Sequence, residues 1–545
     1  MKKNLEIKNS LILGWKFLEK DSCVFWYKGY LNITKFEEIF KYLQKIEFNE
    51  LKTYINNLDG NFSFIFKNES FTLAVVDKIS SIPIYYFEDL KSVIISPHTF
   101  LLKNSLKEEK LDPEAVLSLN MSGYTVGNNT LYGKLKKINC GEFFFCMNSD
   151  SSYILTKYYT YLPSNSGPED NLENYKKKYI EGTLKVFQKL HNRSQNLGKK
   201  IAISMSAGLD TRLIVSALKE VGAKNIIGFS YGLKNNFEAN AAKKLCKYLD
   251  IPWKFSRFTN SKLNKIIKSK DFLDFRKKTD TYYSTSDYSD YFAIKELTEN
   301  NFLNDSIIVN GHSGDFIAGN HMLTKFYDNK ISNNYYRNGA RAIIKKHFRL
   351  WLNLANEDND SVIENLLIKK MKQLKIEIKN PKQIFGVIEN IQLEERQSKH
   401  CLSRQRNYEN FGLDWALPLW DNEYLKFWEK IPYELKLNRK LYIDTLYHKN
   451  FQKVWKGKNW EKLNTLHKID LIFIRILRIF TKIFFFFSKE KWKLFDKKYF
   501  TYWYDNFCSY AHVSYLNVIF HNNKFRNGFS WQTKSYLEKK KIDNL

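Results

Sequence analysis

Hydrophobic patterning divides the chain into two regimes. Up to about residue 160, short β-branched and aromatic runs alternate with turn residues, which predicts strands. Phe62–Phe66 follows Leu58-Asp59-Gly60, then come Phe71–Val76, Ile84–Phe87 and Val93–Ser96. Pro83 marks an edge or bend between two of these runs. Gly141 followed by Phe143-Phe144-Phe145 reads as another turn and strand. From about residue 170 the period changes. Asn174–Leu190 reads as a helix, Ile201–Met205 as a strand, Arg212–Glu220 as a helix, Ile226–Tyr231 as a strand and Ala239–Tyr248 as a helix. This alternation predicts parallel βαβ units, and Ile307–Asn310 reads as a later strand of the same sheet. Beyond about residue 320 the pattern is mostly helical, and the last stretch is rich in Phe, Trp and Tyr. No internal repeat is found. The expected units are 1–165, 170–455 and 456–545.

The junction Ile203-Ser204-Met205-Ser206-Ala207-Gly208-Leu209-Asp210-Thr211-Arg212 carries the most chemistry. Small residues between a strand and a helix allow close backbone approach to an anion, and the first amides of the helix form an anion nest. The hydroxyls of Ser206 and Thr211 add donors. Asp210 cannot donate to phosphate when ionised, so its presence implies a metal, with Mg²⁺ between carboxylate and phosphates. The bland alternative is a plain strand-turn-helix junction. Neither the G-x-x-x-x-G-K-[ST] loop nor a dinucleotide fingerprint is present.

Ser206–Thr211 resembles the pyrophosphate loop S-G-G-x-D-S of the N-type ATP pyrophosphatases, with Ala207 for a glycine and Thr211 for a serine. Three further segments resemble the synthetase domain of asparagine synthetase-like proteins. In Ile226–Leu249, the resemblance gives Tyr231, with Met205 ahead of the loop, backbone contacts to adenine. Val309–Gly319 resembles S-G-x-G-x-D-E-x-F-x-G. There Asp315 would be the second carboxylate on Mg²⁺, facing Asp210. This segment departs from the family in two places: Phe316 stands for the usual Glu, and His312 falls at the catalytic acidic position. His312 either acts as a base near neutral pH or marks an altered substrate or lost activity. Phe411–Leu446 resembles the family's Pro-x-x-Asp turn, helix and later lysine, so Asp421 follows Pro418 in that turn. Lys440 would hold the phosphates during adenylation. Leu209, Gly208, Asn310 and Gly311 complete the candidate nucleotide-binding set.

The N-terminal segments Leu58–Ile65 and Asp77–Tyr86 resemble L-x-G-x-F-A-F and D-R-x-G-x-x-P-L-Y-Y of the glutaminase domain. The implied fold is an Ntn-hydrolase-like αββα sandwich, followed by an adenine nucleotide α-hydrolase-like parallel α/β sheet with a helical C-terminal part. The glutaminase uses an N-terminal Cys. Here Lys2 stands at that place, Cys23 is internal, and Ile79–Ile82 lacks the family's Gly and Arg, so this unit is expected to be structural. The resemblance thus implies ATP and Mg²⁺ as cofactors. It also implies a carboxylate acceptor (aspartate, or a sugar acid of a surface polysaccharide), with ammonia or an amine as nitrogen donor. A degenerate, non-catalytic scaffold is the alternative.

Charge changes this picture little. The balance of 87 Lys+Arg against 58 Asp+Glu gives +29, which suits nucleic acid, a membrane surface or anionic small substrates. The lysines are scattered rather than gathered, and Lys, Asn and Ile are abundant throughout, so a compositional origin is preferred and no nucleic-acid partner is expected. The six cysteines (Cys23, Cys140, Cys146, Cys246, Cys401, Cys508) form no C-x-x-C pair, which excludes a zinc ribbon or thioredoxin motif. With no apolar run in Met1–Trp15, the chain reads as cytoplasmic. Finally, Arg475, Arg478 and Lys482 recur at helical spacing within 469–487. That segment is either a helix covering a core, the preferred reading, or an interfacial helix on the inner membrane face. Three charges argue against a span.

Overall fold

The computed structural model describes residues 3–149, 152–163, 170–234, 236–321, 334–378, 383–457, 472–500, 513–521 and 524–543. Lys2, Cys508 and residues 469–471 lie outside the described residues.

The first unit stacks two sheets. One has the order β1 (Asn4–Ile7), β7 (Ser92–Ser96), β6 (Tyr85–Glu88), β8 (Leu135–Lys137). The other runs β10 (Tyr153–Lys157), β9 (Glu142–Met147), β5 (Phe71–Val76), β4 (Gly60–Lys67), β3 (Cys23–Leu31), β2 (Lys16–Lys20). Alternation along each strand sends one set of side chains between the sheets and the other outward. Ile65, Ala74, Val76 and Phe144 meet Ile84, Tyr86, Val93 and Ile95 in one buried core. The opposite face of the larger sheet (Phe25, Phe64, Phe66) is covered by α1 (Phe36–Leu43) and α2 (Phe48–Asn57). That of the smaller sheet (Tyr85, Phe87, Ile94) is covered by α3 (Pro113–Ser122) and, from the far end of the chain, by Tyr536 and Leu537. This is the expected αββα layering. The strands β1, β2 and β3 were not legible as separate runs, because their polar and apolar positions are mixed.

The second unit is an all-parallel sheet of order β13 (Trp253–Arg257), β12 (Ile226–Gly232), β11 (Lys200–Ser204), β14 (Ser306–Val309), β15 (Asp414–Ala416). Ile201, Ala202 and Ile203 are all buried, the continuous apolar run of a strand covered on both faces. The helix α4 (Leu172–Leu197) precedes it, capped by the Asn171 side chain and ended by Gly198 in the left-handed region (φ 64°). Its buried stripe Tyr175, Tyr179, Val186, Phe187 and Leu190 follows helical spacing. The helices α5 (Leu209–Glu220) and α6 (Phe237–Tyr248) follow β11 and β12. The chain runs outward from β11 to β12 and β13, then returns to the other side of β11 as β14. The border between β11 and β14 is therefore the topological switch point, where ligands of open α/β sheets bind.

Charged side chains buried between the units fix how they sit. Lys28 of β3 pairs with Glu409 at 2.6 Å, both nearly inaccessible. Lys189 of α4 bridges Asp59 (2.9 Å) and Asp421 (3.0 Å), and Asn32 also reaches Asp421. Lys157 of β10 and Lys370 converge on Glu394 at 2.6 and 2.8 Å, while Lys399 pairs with Glu395 at 2.6 Å. The Gly127 amide donates to both oxygens of Glu395.

Part of the described chain after residue 456 joins the first unit. Helix Gly528–Asp543 packs on α3 of the first unit. Helix Ile472–Phe484 instead leaves its apolar side outward: Phe480 is 58 % and Phe484 83 % exposed. Arg478 turns inward onto Asp496 (Nη2–Oδ2 2.8 Å). The preferred expectation of a core-covering helix therefore fails for its apolar side, whereas Lys482 is exposed to water as expected. Among the described residues, no helix is long and apolar enough to cross a membrane.

Burial raises the Glu394 carboxyl, but Lys157 and Lys370 outweigh burial and hold it far below the usual carboxylate range. A depressed folded-state pKa contributes stability above the unfolded value of about 4.3 and loses it as pH falls. Glu394→Gln is therefore expected to cost about 3 kcal/mol at pH 7 and a smaller but still measurable amount at pH 3, where the folded carboxyl remains ionised, measured by urea denaturation at both pH values.

Candidate functional site

At the carboxyl end of β11 the chain turns through Met205–Gly208 into α5. The Met205 amide bonds to the Phe229 carbonyl at 2.8 Å, and the Ser230 hydroxyl donates to the Met205 carbonyl at 2.8 Å, which ties the turn to β12. The Ser206 and Thr211 hydroxyls lie 3.3 Å apart, and the Gly208 amide donates to Ser206 Oγ at 3.1 Å. Gly208, the N-cap of α5, supplies no side-chain acceptor. The amide end of this helix, with its partial positive charge, therefore faces the cavity without an internal cap, which suits an anion.

The neighbouring strand β14 delivers the second loop. Ile203 and Val309 are in register, so residues 205–211 and 310–315 leave the sheet side by side. The Asp315 amide donates to Asp210 Oδ2 at 2.9 Å, and the Tyr442 hydroxyl donates to Asp210 Oδ1 at 2.8 Å. Gly311 and Gly314 permit this approach: a Cβ on either would stand 3.0 Å from Asp210 side-chain atoms. The two loops enclose a cavity of about 400 Å³, lined also by Tyr231, Glu238, Arg404 and Arg439.

Asp210 and Asp315 both face this cavity, and neither forms an ion pair among the described residues. Burial, then the Asp315 charge, pushes the Asp210 carboxyl up to about 7. No group of three or more acidic, His or Cys side chains gathers into a metal cage among the described residues. A pair of hard oxygen donors fits a cation that keeps its other positions for phosphates and water, as Mg²⁺ does.

The cavity floor is a hydrogen-bonded chain. Asn310 donates to the Tyr408 hydroxyl (3.1 Å), which donates to Asp290 Oδ2 (2.6 Å). Arg404 binds Asp287 and lies 3.9 Å from Asp290. His312, Asp315 and Arg404 also line a second cavity of about 530 Å³ that adjoins the first.

The structure thus brings Met205, Ser206, Gly208, Leu209, Asp210, Thr211, Tyr231, Asn310, Gly311, His312 and Asp315 around one cavity. Ala207 lies in the same turn, its carbonyl accepting from Arg212. His312 differs from the expectation of a base near neutral pH. Burial, then the Arg404 guanidinium, pushes its imidazole down to about 3, so it is neutral and weakly basic. Lys440 also differs. It is exposed and does not line the cavity, whereas Arg439 does. The first turn of helix Lys440–Lys449 starts from Arg439 in the left-handed region (φ 59°), which sets the two side chains apart. Asp421 does not reach the cavity; it caps helix Asn422–Glu429 and anchors Lys189. Arg404 carried no motif, Glu238 and Tyr442 lay unassigned inside the segments Ile226–Leu249 and Phe411–Leu446, and Arg439 was legible only as the neighbour of Lys440. In the first unit, Cys23 begins β3 with its thiol pushed up by burial; the thiols of Cys140, Cys246 and Cys401 are raised likewise. In place of the family's Gly and Arg, the 77–81 turn is organised by Asp77, which accepts from the amides of Phe62, Ile79 and Ser81.

The sequence model of the asparagine synthase family matches residues 193–450, the stretch that supplies both loops and the helix carrying Tyr442. Residues 193–450 form an asparagine synthase-family domain. The family is one of ATP-dependent carbon–nitrogen ligases. A comparison with curated protein sequences gives no match. Among solved structures, the chain is similar to the NH3-dependent NAD synthetase of Campylobacter jejuni, at 15% identity over 39% of this chain and 100% of that one, with a TM-score of 0.21. It is also similar to glutamine phosphoribosylpyrophosphate amidotransferase of B. subtilis, at 10% identity over 44% of this chain and 72% of that one, with a TM-score of 0.20.

Within the asparagine synthase domain, the Asp315 charge helps to raise the Asp210 carboxyl, and neither carboxylate forms an ion pair among the described residues. Asp210→Asn removes one of these charges and keeps an acceptor for the Asp315 amide. It is expected to stabilise the ligand-free protein by about 1 kcal/mol at pH 8, measured by chemical denaturation in the presence of a chelator.

Proposed function

We propose that the chain is an ATP-dependent ligase that adenylates an acceptor carboxylate and converts it to an amide with ammonia or an amine. The observation that carries this reading is the nucleotide-sized cavity at the switch point, with the open amide end of α5 facing the Asp210–Asp315 pair. Ser206, Thr211 and the first amides of α5 hold the phosphates, and Tyr231 and Met205 border the adenine. Asp210 and Asp315 would hold Mg²⁺, which neutralises phosphate charge when bound. An acceptor carboxylate oxygen, seated in the adjoining cavity, attacks the α-phosphorus. The bond from that phosphorus to the oxygen bridging the α and β phosphates breaks, and pyrophosphate leaves. Arg439 is the cation placed to follow the charge developing on pyrophosphate. The nitrogen nucleophile then attacks the acyl carbon, AMP leaves, and the nitrogen sheds a proton to solvent. His312, neutral at the junction of the two cavities, orients rather than transfers a proton. The buried, raised thiols of Cys23 and Cys140 support a first unit that serves as a wall, with free ammonia or an amine as the nitrogen source. Aspartate and sugar acids are the acceptors to test.

Pyrophosphate release from ATP and Mg²⁺ is expected with one class of acid in a panel of aspartate, uronic acids and nucleotide-linked uronic acids. Asp210→Ala and Asp315→Ala are expected to lower it by at least about 100-fold, and Arg439→Ala by more than Lys440→Ala. Absence of release with every acid, together with absence of ATP binding, would leave a non-catalytic scaffold.

We also propose peripheral contact with an anionic membrane surface through helix Ile472–Phe484. Its outward Phe473, Ile479, Phe480, Ile483 and Phe484 (58–83 % exposed) support this, as do Arg475 and Lys482 on the same helix. Co-sedimentation with phosphatidylglycerol vesicles is expected, and Phe480→Asp with Ile483→Asp should reduce it several-fold. Equal binding by the variant would rule out this contact.

A further inference from the structure

The second cavity is built differently from the first. Its walls come from all three parts of the chain: Ser122 at the end of α3 and Tyr124 just beyond it, the asparagine synthase domain, and Arg526, Asn527, Phe529 and Gln532 from near the C-terminus. That last wall is anchored. Arg526 and Ser530 both bond to the Leu350 carbonyl at 2.8 Å, and Gln532 donates to the Ser286 carbonyl at 2.6 Å. The Phe529 ring lies 4.5 Å from that of His400 and fills the space over Gly123, where a Cβ would meet it at 2.3 Å.

Four cations line this cavity: Lys346, Arg396, Arg404 and Arg526. Arg404 is matched by Asp287. The others make no ion pair with any described residue: Arg396 reaches only the Cys401 thiol (3.5 Å), and Arg526 donates to the Lys346 carbonyl (2.8 Å). The remaining carboxylate in the lining, Asp315, is shared with the phosphate cavity. Four histidines add polar groups without partners. The Nε2 of His347 (7 % exposed) and Nδ1 of His312, His321 and His400 are buried and unbonded. Their imidazoles are held neutral by burial beside these cations. Buried polar atoms without a partner cost free energy unless a ligand satisfies them, and the half-buried Lys346 and Arg396 with the exposed Arg526 present three cations to an anion entering this cavity. A volume of about 530 Å³ is also that of a site for a ligand well above amino-acid size.

We infer that the acceptor is an acid larger than an amino acid that bears a phosphate as a second anionic group, which Arg396, Lys346 and Arg526 bind while the reacting carboxylate sits by His312 and Arg404. The C-terminal segment is then a specificity element of the site. This rests on the ligase reading for which group reacts, but not for what binds.

Direct titration by calorimetry tests it, with glucuronate and glucuronate 1-phosphate as a pair differing only in the second anion. The phosphorylated acid is expected to bind at least tenfold more tightly. Arg526→Gln should remove most of that difference, Arg526→Lys should restore much of it, and ATP affinity should stay within twofold in both. Arg526 is exposed, so these variants are expected to fold, which thermal melts check. Equal affinity for the two acids, no binding of either, or an advantage unchanged in Arg526→Gln and in Arg396→Gln would overturn the inference. Binding without pyrophosphate release would instead count against the ligase reading and leave the anion site standing.

Discussion

The segment Leu393–Arg404 depends on the burial of two adjacent carboxylates. Glu394 and Glu395 carry two negative charges into the junction between the first unit and the asparagine synthase domain. Unpaired, they would be prohibitive there. Lys157, Lys370 and Lys399 compensate them at 2.6–3.2 Å. Because Lys157 belongs to β10 and Gly127 to the first unit, that unit becomes part of the same electrostatic lock. Arg396, His400 and Arg404 follow directly in the chain, so the lock also sets where the second cavity's cations point.

Geometry at the switch point does the rest. A parallel sheet whose order reverses beside β11 must open a crevice there, and both loops entering it carry small residues, Ser206–Gly208 in one and Gly311 and Gly314 in the other. Glycines 311 and 314 let the second loop close to within a hydrogen bond of Asp210. This brings two carboxylates together, with Tyr442 and a backbone amide donating to Asp210 and Asn320 donating to Asp315.

The first unit is an αββα sandwich in which the thiols of Cys23 and Cys140 are buried and raised. Its contribution visible in the structure is architectural. It supplies Ser122 and Tyr124 to the second cavity and a bed for the C-terminal helix. A unit can keep its fold in this way because inter-sheet packing and the Asp77 turn are satisfied internally, independent of any chemistry.

The sequence by itself determined the two-regime layout, the parallel order of strand and helix, and the loop Ser206–Thr211 with Asp315 as its partner. These rest on local periodicity and on residue types a phosphate turn demands, which a linear reading contains. It did not determine which cation enters the nucleotide cavity, because Arg439 and Lys440 are adjacent and only the left-handed backbone at Arg439 separates them. Nor did it determine the state of His312, whose basicity is set by burial and by Arg404, distant in sequence. Arg396 and Arg526 lie 130 positions apart and carry no motif. Only the docking of the C-terminal segment against α3 brings them to one cavity, because long-range burial of apolar and charged surface, not local pattern, decides which distant residues meet.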